Sequence, residues 1–245
     1  MHRFFVEPDQ IQGARVLFAD AQAHQIARVL RLRPGDQVVV LDNRGWQYMV
    51  MLETAVSPQL IGTVRNRAAA EGEPRLRLTL YQALLQRDKF EWVLQKGTEI
   101  GVARFVPLLT RRSLVQTAAL KANKQARWHK ILTEAAEQSW RGRVPELAPP
   151  VALAEALGAA ATADLGLLAE VGAERPLRAA LHGLPTSPTE VALFIGPEGG
   201  FDADEVAQAQ AAGVTPVSLG PRVLRTETAA IVAAALILHE LGEMQ

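Results

Sequence analysis

The chain contains no cysteine. That excludes a disulfide framework, a thiolate metal centre and a cysteine nucleophile, and it points to a reducing compartment. Histidine is sparse as well: His2, His24, His129, His182 and His239 are scattered without the spacing of metal ligands. They read as surface or helix-end residues, and no metal is expected. The one long aliphatic run, residues 231–241, is too short to cross a bilayer, and Met1-His2-Arg3-Phe4-Phe5-Val6-Glu7 has no signal-peptide apolar core. A cytoplasmic protein with no membrane partner is therefore expected. Neither Gly-x-x-x-x-Gly-Lys-Ser/Thr nor Gly-x-Gly-x-x-Gly occurs, so neither an ATP-type phosphate loop nor a dinucleotide fingerprint is supported.

Apolar residues, by contrast, make up 49% of the 245. That is enough for one large α/β domain or two smaller ones. The net charge of zero hides a division. Residues 75–145 carry 14 Lys and Arg against 5 Asp and Glu, a surplus of nine positive charges, whereas residues 146–245 carry 4 against 13 and the first 74 balance at 8 against 8. Either the basic segment forms salt bridges with the acidic C-terminal part, or it faces a polyanion. The second reading is favoured by the way Lys121, Lys124, Arg127 and Lys130 climb one side of a helix expected over residues 118–138, next to Arg111, Arg112, Arg141 and Arg143. Leu120, Trp128, Ile131, Leu132 and Ala135 fall on the other side of that helix.

The first seventy residues read as β: residues 38–41, 46–54 and 60–65 are strands, with Asp42-Asn43-Arg44-Gly45 as the first reversal. Several short strands suggest a small barrel. Arg28, Arg31 and Arg33, and Arg3 beside Phe4 and Phe5, are its candidate RNA contacts. The two phenylalanines themselves are expected in the core. Residues 68–74 break the apolar pattern and mark a hinge. Beyond it, strands at 76–80 and 102–109 flank a helix begun by Asp88, in which Phe90, Val93, Leu94, Gly97 and Ile100 share one face and Lys89, Trp92, Lys96 and Glu99 the other. This alternation predicts a mainly parallel sheet.

Two strand-loop-helix units close the chain. Residues 191–195 run into Gly196-Pro197-Glu198-Gly199-Gly200-Phe201 and a helix capped by Asp202 and Glu205. Residues 214–219 run into Gly220-Pro221-Arg222-Val223-Leu224-Arg225-Thr226-Glu227-Thr228 and the aliphatic helix over residues 226–241. Loops at the carboxyl ends of neighbouring parallel strands form the usual ligand crevice of an open α/β sheet.

Gly196-Pro-Glu-Gly-Gly200, Leu219-Gly-Pro-Arg-Val-Leu-Arg-Thr-Glu-Thr-Ala-Ala230, Lys89-Phe-Glu-Trp92 and Gln95-Lys-Gly-Thr-Glu-Ile-Gly101 resemble the motifs of the RsmE-type methyltransferases of the SPOUT superfamily. The resemblance implies an α/β protein: a PUA-like RNA-binding β-barrel over residues 1–70 and a trefoil-knotted, mainly parallel methyltransferase domain over 75–245. It also implies S-adenosyl-L-methionine in the loops, N3 of a uridine in 16S ribosomal RNA of the small subunit as substrate, and a homodimer. Leu168, Ile195, Gly196, Pro197, Glu198, Gly199, Gly200, Leu219, Gly220, Arg222, Leu224, Arg225 and Thr226 are then the candidate cofactor contacts. The carboxylate of Glu198 is expected to bind backbone N–H groups. Arg3, Arg28, Arg31, Arg33, Lys89, Lys96, Arg111, Arg112, Lys124, Arg127, Arg141 and Arg143 are the candidate RNA contacts.

Uridine N3 carries a proton that must leave, and a carboxylate base or an arginine stabilising the negative charge that develops on the uracil oxygens would help. Arg222 and Arg225 are the candidate cations, and Glu227 or Glu137 the candidate base. The alternative is a non-enzymatic RNA-binding protein with a PUA-like barrel and basic surface, which leaves the two cofactor-like loops without a purpose.

Overall fold

The computed structural model describes residues 1–53, 60–86, 88–114, 122–182, 184 and 186–244. Contacts divide the chain into two compact units. One comprises Met1–Glu73 with Ala136–Val144, and the other Pro74–Ala135 with Pro145–Gln245.

The first unit is a curled, mainly antiparallel six-stranded sheet. It is built from β1 (Arg3–Phe5), β2 (Ile11–Gln12), β3 (Arg15–Phe18), β4 (Gln37–Leu41), β5 (Trp46–Leu52) and β6 (Leu60–Ala69), in the order β1-β4-β5-β6-β3-β2. The path is open, so this is a half-barrel. Strand alternation sends Val38, Val40, Val50 and Leu52 inward, to pack with Phe4, Val16 and Phe18. The reversal before β5 forms as expected: Asn43 and Gly45 take positive φ of 56° and 99°, and Asp42 Oδ1 accepts from the N–H groups of Arg44 and Trp46. The region also holds short helical turns that its strand pattern does not announce. α1 (Asp20–His24) and a π turn (Gln25–Val29) supply Ala23 and Ile26 to the core.

The second unit is a parallel sheet in the order β10-β8-β7-β12-β11-β13, with β9 beside β8. Its strands are β7 (Arg77–Ala83), β8 (Arg104–Leu109), β9 (Glu146–Leu147), β10 (Val151–Ala152), β11 (Leu165–Ala169), β12 (Glu190–Ile195) and β13 (Thr215–Val217). Helices α2 (Lys89–Ile100), α3 (Ala122–Gln138), α4 (Leu153–Ala160), α5 (Leu177–His182), α6 (Ala203–Ala211) and α7 (Thr226–Glu240) connect them. Residues 118–121 of the expected helix, Leu120 and Lys121 among them, lie outside the described residues.

Four of the five residues in the expected inward stripe of α2, Phe90, Val93, Leu94 and Gly97, are buried; Ile100 is part-buried, and Thr98 is buried beside them. At Gly97 a Cβ would stand 2.7 Å from the ring of Phe105, so only glycine lets α2 lie this close to β8. Asp88 does occupy the N-cap position, but with helical backbone angles and no side-chain cap. On one sheet face Tyr81 and Phe194 stack at 4.4 Å, and Leu168, Phe201 and Val214 join their cluster. α7 offers no polar stripe and buries Ala230, Ala233, Ala234, Ile237 and Leu238.

Candidate active site

The site lies where three adjacent parallel strands end. β12, β11 and β13 pair so that Ile195, Ala169 and Val217 stand side by side, and residues 196–202, 170–176 and 218–225 follow them. These loops enclose two abutting cavities. One, of about 540 Å³, is lined by Ala169 to Gly172, by Ser218 to Leu224 and by Ala229. The other, of about 340 Å³, is lined by Lys89, Glu170, Ile195 to Glu198, Gly200 and residues 223–227, among others. Both sizes fall in the range of small-molecule sites.

The first loop is fixed from both ends. Gly200 has φ 68° and its N–H donates to Pro197 O at 3.0 Å, which closes a turn open to glycine at no cost. Asp202 and Glu205 form the expected capping box at the start of α6. The Asp202 carboxyl is held below its ordinary range, first by the N–H of Asp204 and then by Arg111 and Arg112. Of the three loop glycines, only Gly200 uses the left-handed region. A Cβ on Gly196 would press on the Phe201 ring at 3.1 Å.

The second loop is stapled to the first by one hydroxyl. Thr226, the first residue of α7, is buried. Its Oγ1 donates to Gly196 O at 2.5 Å and accepts from Gln82 Nε2 at 3.2 Å. Gln82 comes from the end of β7 and is fully buried. Its role is not legible in the sequence, because a polar residue in an apolar strand reveals its purpose only when its partner, 144 positions away, is placed beside it.

Most of the expected cofactor residues come together. Ile195, Gly196, Pro197, Glu198, Gly200, Leu219, Gly220, Arg222, Leu224, Arg225 and Thr226 line one or both cavities. Gly199 is not among the lining residues of either cavity; its carbonyl accepts from Arg112 Nη1 at 2.9 Å. Leu168 does not line either cavity: strand alternation sends it into the Phe194 cluster and puts Ala169 at the cavity wall instead.

Three carboxylates line the cleft. Among the described residues Glu198 accepts from no backbone N–H, contrary to expectation; it pairs with Lys89 Nζ at 3.2 Å, and Glu227 lies 3.7 Å from the same ammonium. Glu170, which no motif in the sequence marks, lines both cavities. Burial pushes its carboxyl up, with Arg112 acting against the shift. The other candidate base, Glu137, is engaged in the first unit, where Oε1 accepts from the N–H of Phe5 at 3.0 Å.

The expected RNA contacts separate into groups. Lys89 is tied to Glu198, Arg111 to Asp202 and Asp204, Arg112 to Gly199 and Asp202, Arg127 to Glu91, and Lys96 to Glu99. Much of the basic segment is thus paired with acidic groups. Lys124 lies over the ring of Trp128 at 5.3 Å. In the first unit Arg28, Arg31 and Arg33 are exposed, Arg3 packs over Trp140 at 5.1 Å, and Arg143 donates to Arg44 O. Arg141 is a correction. It is 2% exposed and held by Glu73 at 2.7 Å, which withdraws it from any phosphate-binding surface. A further surface pair was not foreseen: Arg67 stacks over the half-exposed Trp46 at 3.8 Å. Among the described residues no group of three or more His, Asp or Glu could hold a metal, and no helix is long and apolar enough to cross a membrane.

A cleft of backbone donors, aliphatic walls and paired charges at the carboxyl edge of a parallel sheet defines a small-molecule binding site. Residues 72–238 match a family model described as RNA methyltransferase domain, and residues 18–55 one described as RNA methyltransferase PUA domain. The ribosomal RNA small subunit methyltransferase E of a Synechocystis species is 38% identical over 96% of this chain and 77% of its own length, and that of Bacillus subtilis 31% over 98% and 97%. The crystal structure of the same enzyme from Neisseria gonorrhoeae, bound to S-adenosyl methionine, superposes with a TM-score of 0.89 at 28% identity and covers 100% of both chains. A Legionella pneumophila methyltransferase in complex with the same cofactor gives 0.85 at 31%, covering 97% of this chain and 96% of its own. The chain belongs to the ribosomal RNA small subunit methyltransferase E family.

Proposed function

We propose that this protein methylates N3 of one uridine in the 16S RNA of the small ribosomal subunit, with S-adenosylmethionine as methyl donor. The observation that carries the reading is the pair of abutting cavities, which offers one chamber to a cofactor and a second to a base, with Glu170 on both walls. The residues fit that cofactor: Ile195, Leu219 and Leu224 give apolar walls, residues 196–200 and 218–220 give backbone donors and acceptors, and carboxylates stand ready for a cationic ligand. When bound, S-adenosylmethionine supplies an electrophilic methyl group.

The chain's own part is to position the nucleophile, exclude water and manage one proton. Arg222 and Arg225 line the cleft and are available to charge developing on the uracil oxygens. Residues 1–70 act as the RNA-binding domain, through Arg28, Arg31, Arg33 and the Arg67–Trp46 pair, and residues 75–245 form the methyltransferase domain with its loops threaded as a trefoil knot. Two copies pair through α7, where Leu236 is 41% exposed in the aliphatic run between Ala229 and Leu238. The enzyme works in the cytoplasm.

Mass spectrometry of small-subunit RNA from cells lacking the protein tests the assignment. Loss of one N3-methyluridine, restored by the purified enzyme and cofactor, is the expected result. Unchanged RNA, together with no cofactor binding by calorimetry, returns the protein to the class of non-enzymatic RNA binders.

A further inference from the structure

The three cleft carboxylates differ in what holds them. Glu198 and Glu227 share the ammonium of Lys89. Glu170 follows β11, the middle of the three strands, and lines both cavities. Among the described residues its carboxylate has no hydrogen bond and no ion pair, although the residue is part-buried. An unpaired carboxylate between a cofactor chamber and a base chamber is unusual, because burial without a partner costs free energy.

We propose that Glu170 is the general base that removes the N3 proton of the target uridine. The proposal rests on the assignment of N3 under Proposed function. Methylation at N3 needs a base that reaches the N–H, is not already neutralised, and has a proton affinity close to the working pH. Glu198 and Glu227 each face a cation. Glu170 faces none at contact distance, and its burial raises its proton affinity against the field of Arg112. The other charged groups facing it across the cleft are Arg222, in the larger cavity, and Lys89, Arg225, Glu198 and Glu227, in the smaller.

The step balances without a further reagent. The N3 proton passes to a Glu170 oxygen, and the N3 electron pair forms the new bond to the methyl carbon. The carbon–sulfur bond breaks with its pair left on sulfur, and Glu170 then returns the proton to water. Arg222, on the wall of the larger cavity, takes the complementary role of holding negative charge on the uracil oxygens.

The test is Glu170→Gln, which keeps the shape and removes the base. Turnover should fall by about 10²- to 10⁴-fold, while S-adenosylmethionine affinity by calorimetry stays within a few-fold. The acid limb of the native pH–rate profile should disappear. RNA carrying 5-fluorouridine at the target, whose N3 proton is more acidic, should recover part of the lost rate in the variant and gain little in the native enzyme. A variant with native turnover overturns the proposal. So does a loss of cofactor affinity that matches the loss of rate, since Glu170 would then be an anchor for the cofactor's ammonium. If the variant does not fold, the native enzyme decides: a pH–rate profile with no acid limb overturns the proposal. If the native product carries its methyl at another atom, the assignment of N3 fails first, and that outcome is read from the native enzyme alone.

Discussion

Replacing Thr226 by valine removes one oxygen from the point where three chain segments meet. Oγ1 donates to Gly196 O and accepts from Gln82 Nε2, and Thr226 is buried. Valine has nearly the same shape, so packing is kept and the hydrogen bonds alone are lost. Gly196 O is then a buried carbonyl without that donor, a loss worth about 1–3 kcal/mol. Gln82 Nε2 keeps Ala83 O at 3.1 Å, so its share is one net hydrogen bond, about 1 kcal/mol. The extra methyl offsets part of this, which leaves roughly 2 kcal/mol. For a protein of this size that lowers the melting temperature by about 4–8 °C. Scanning calorimetry of the apo protein measures it, and titration calorimetry should show weaker S-adenosylmethionine binding, because the loops at residues 196–200 and 218–225 lose their tie at the floor of the cleft. Thr226→Ser keeps the hydroxyl and should cost about 1 kcal/mol for the lost methyl. A valine variant that melts with the native protein, or a serine variant as damaged as the valine one, refutes the staple.

Other consequences can be checked in the same way. Arg141→Met should cost about 2–3 kcal/mol by urea denaturation, less than a fully buried broken pair, because Glu73 is one quarter exposed and keeps the N–H groups of Gly142 and Arg143. Arg111→Gln should leave cofactor affinity unchanged, whereas Arg112→Gln should weaken it in a titration, since the Arg112 guanidinium holds Gly199 O and that of Arg111 holds only carboxylates. The pH dependence of Glu170→Gln follows from the direction of its shift. A carboxyl whose folded value is raised destabilises the fold once the pH passes the unfolded value of about 4.3. The variant should therefore melt above the native protein at pH 8 and with it below pH 4. The opposite order would mean that Glu170 is stabilised as an anion.

The elements of the second unit are legible because their periods are clean. α2 shows an apolar stripe at helical spacing, β11 and β12 are short apolar runs bounded by turn residues, and the Asp202–Glu205 pair announces the start of α6. α1 and the π turn after it are not legible. A five-residue helix carries one buried position, and the π turn shifts the next, so no period accumulates. Leu168 illustrates a finer limit. Being next to a loop in sequence makes it a wall candidate, yet in a strand the face alternates at each residue, and Ala169, not Leu168, reaches the cavity. Arg141 illustrates the converse. A charge run reads as a solvated surface until one member is found buried against Glu73.

The Lys89 ammonium gives the last step. The sequence places it on the exposed side of α2, among RNA contacts, and one-third exposure of its side chain agrees with that position. Its partners, however, are Glu198 from the first loop and Glu227 from the start of α7. One cation thus holds together carboxylates that, unpaired, would repel each other and push the two loops apart. Like Thr226, it joins the loops, but electrostatically and at the mouth of the cleft instead of at its floor. The surplus of positive charge in residues 75–145 is therefore not all directed at a polyanion. Lys89, Arg111 and Arg112 compensate the acidic C-terminal part around the cofactor loops. This compensation leaves Glu170, alone among the cleft carboxylates, without a neighbouring cation at contact distance among the described residues.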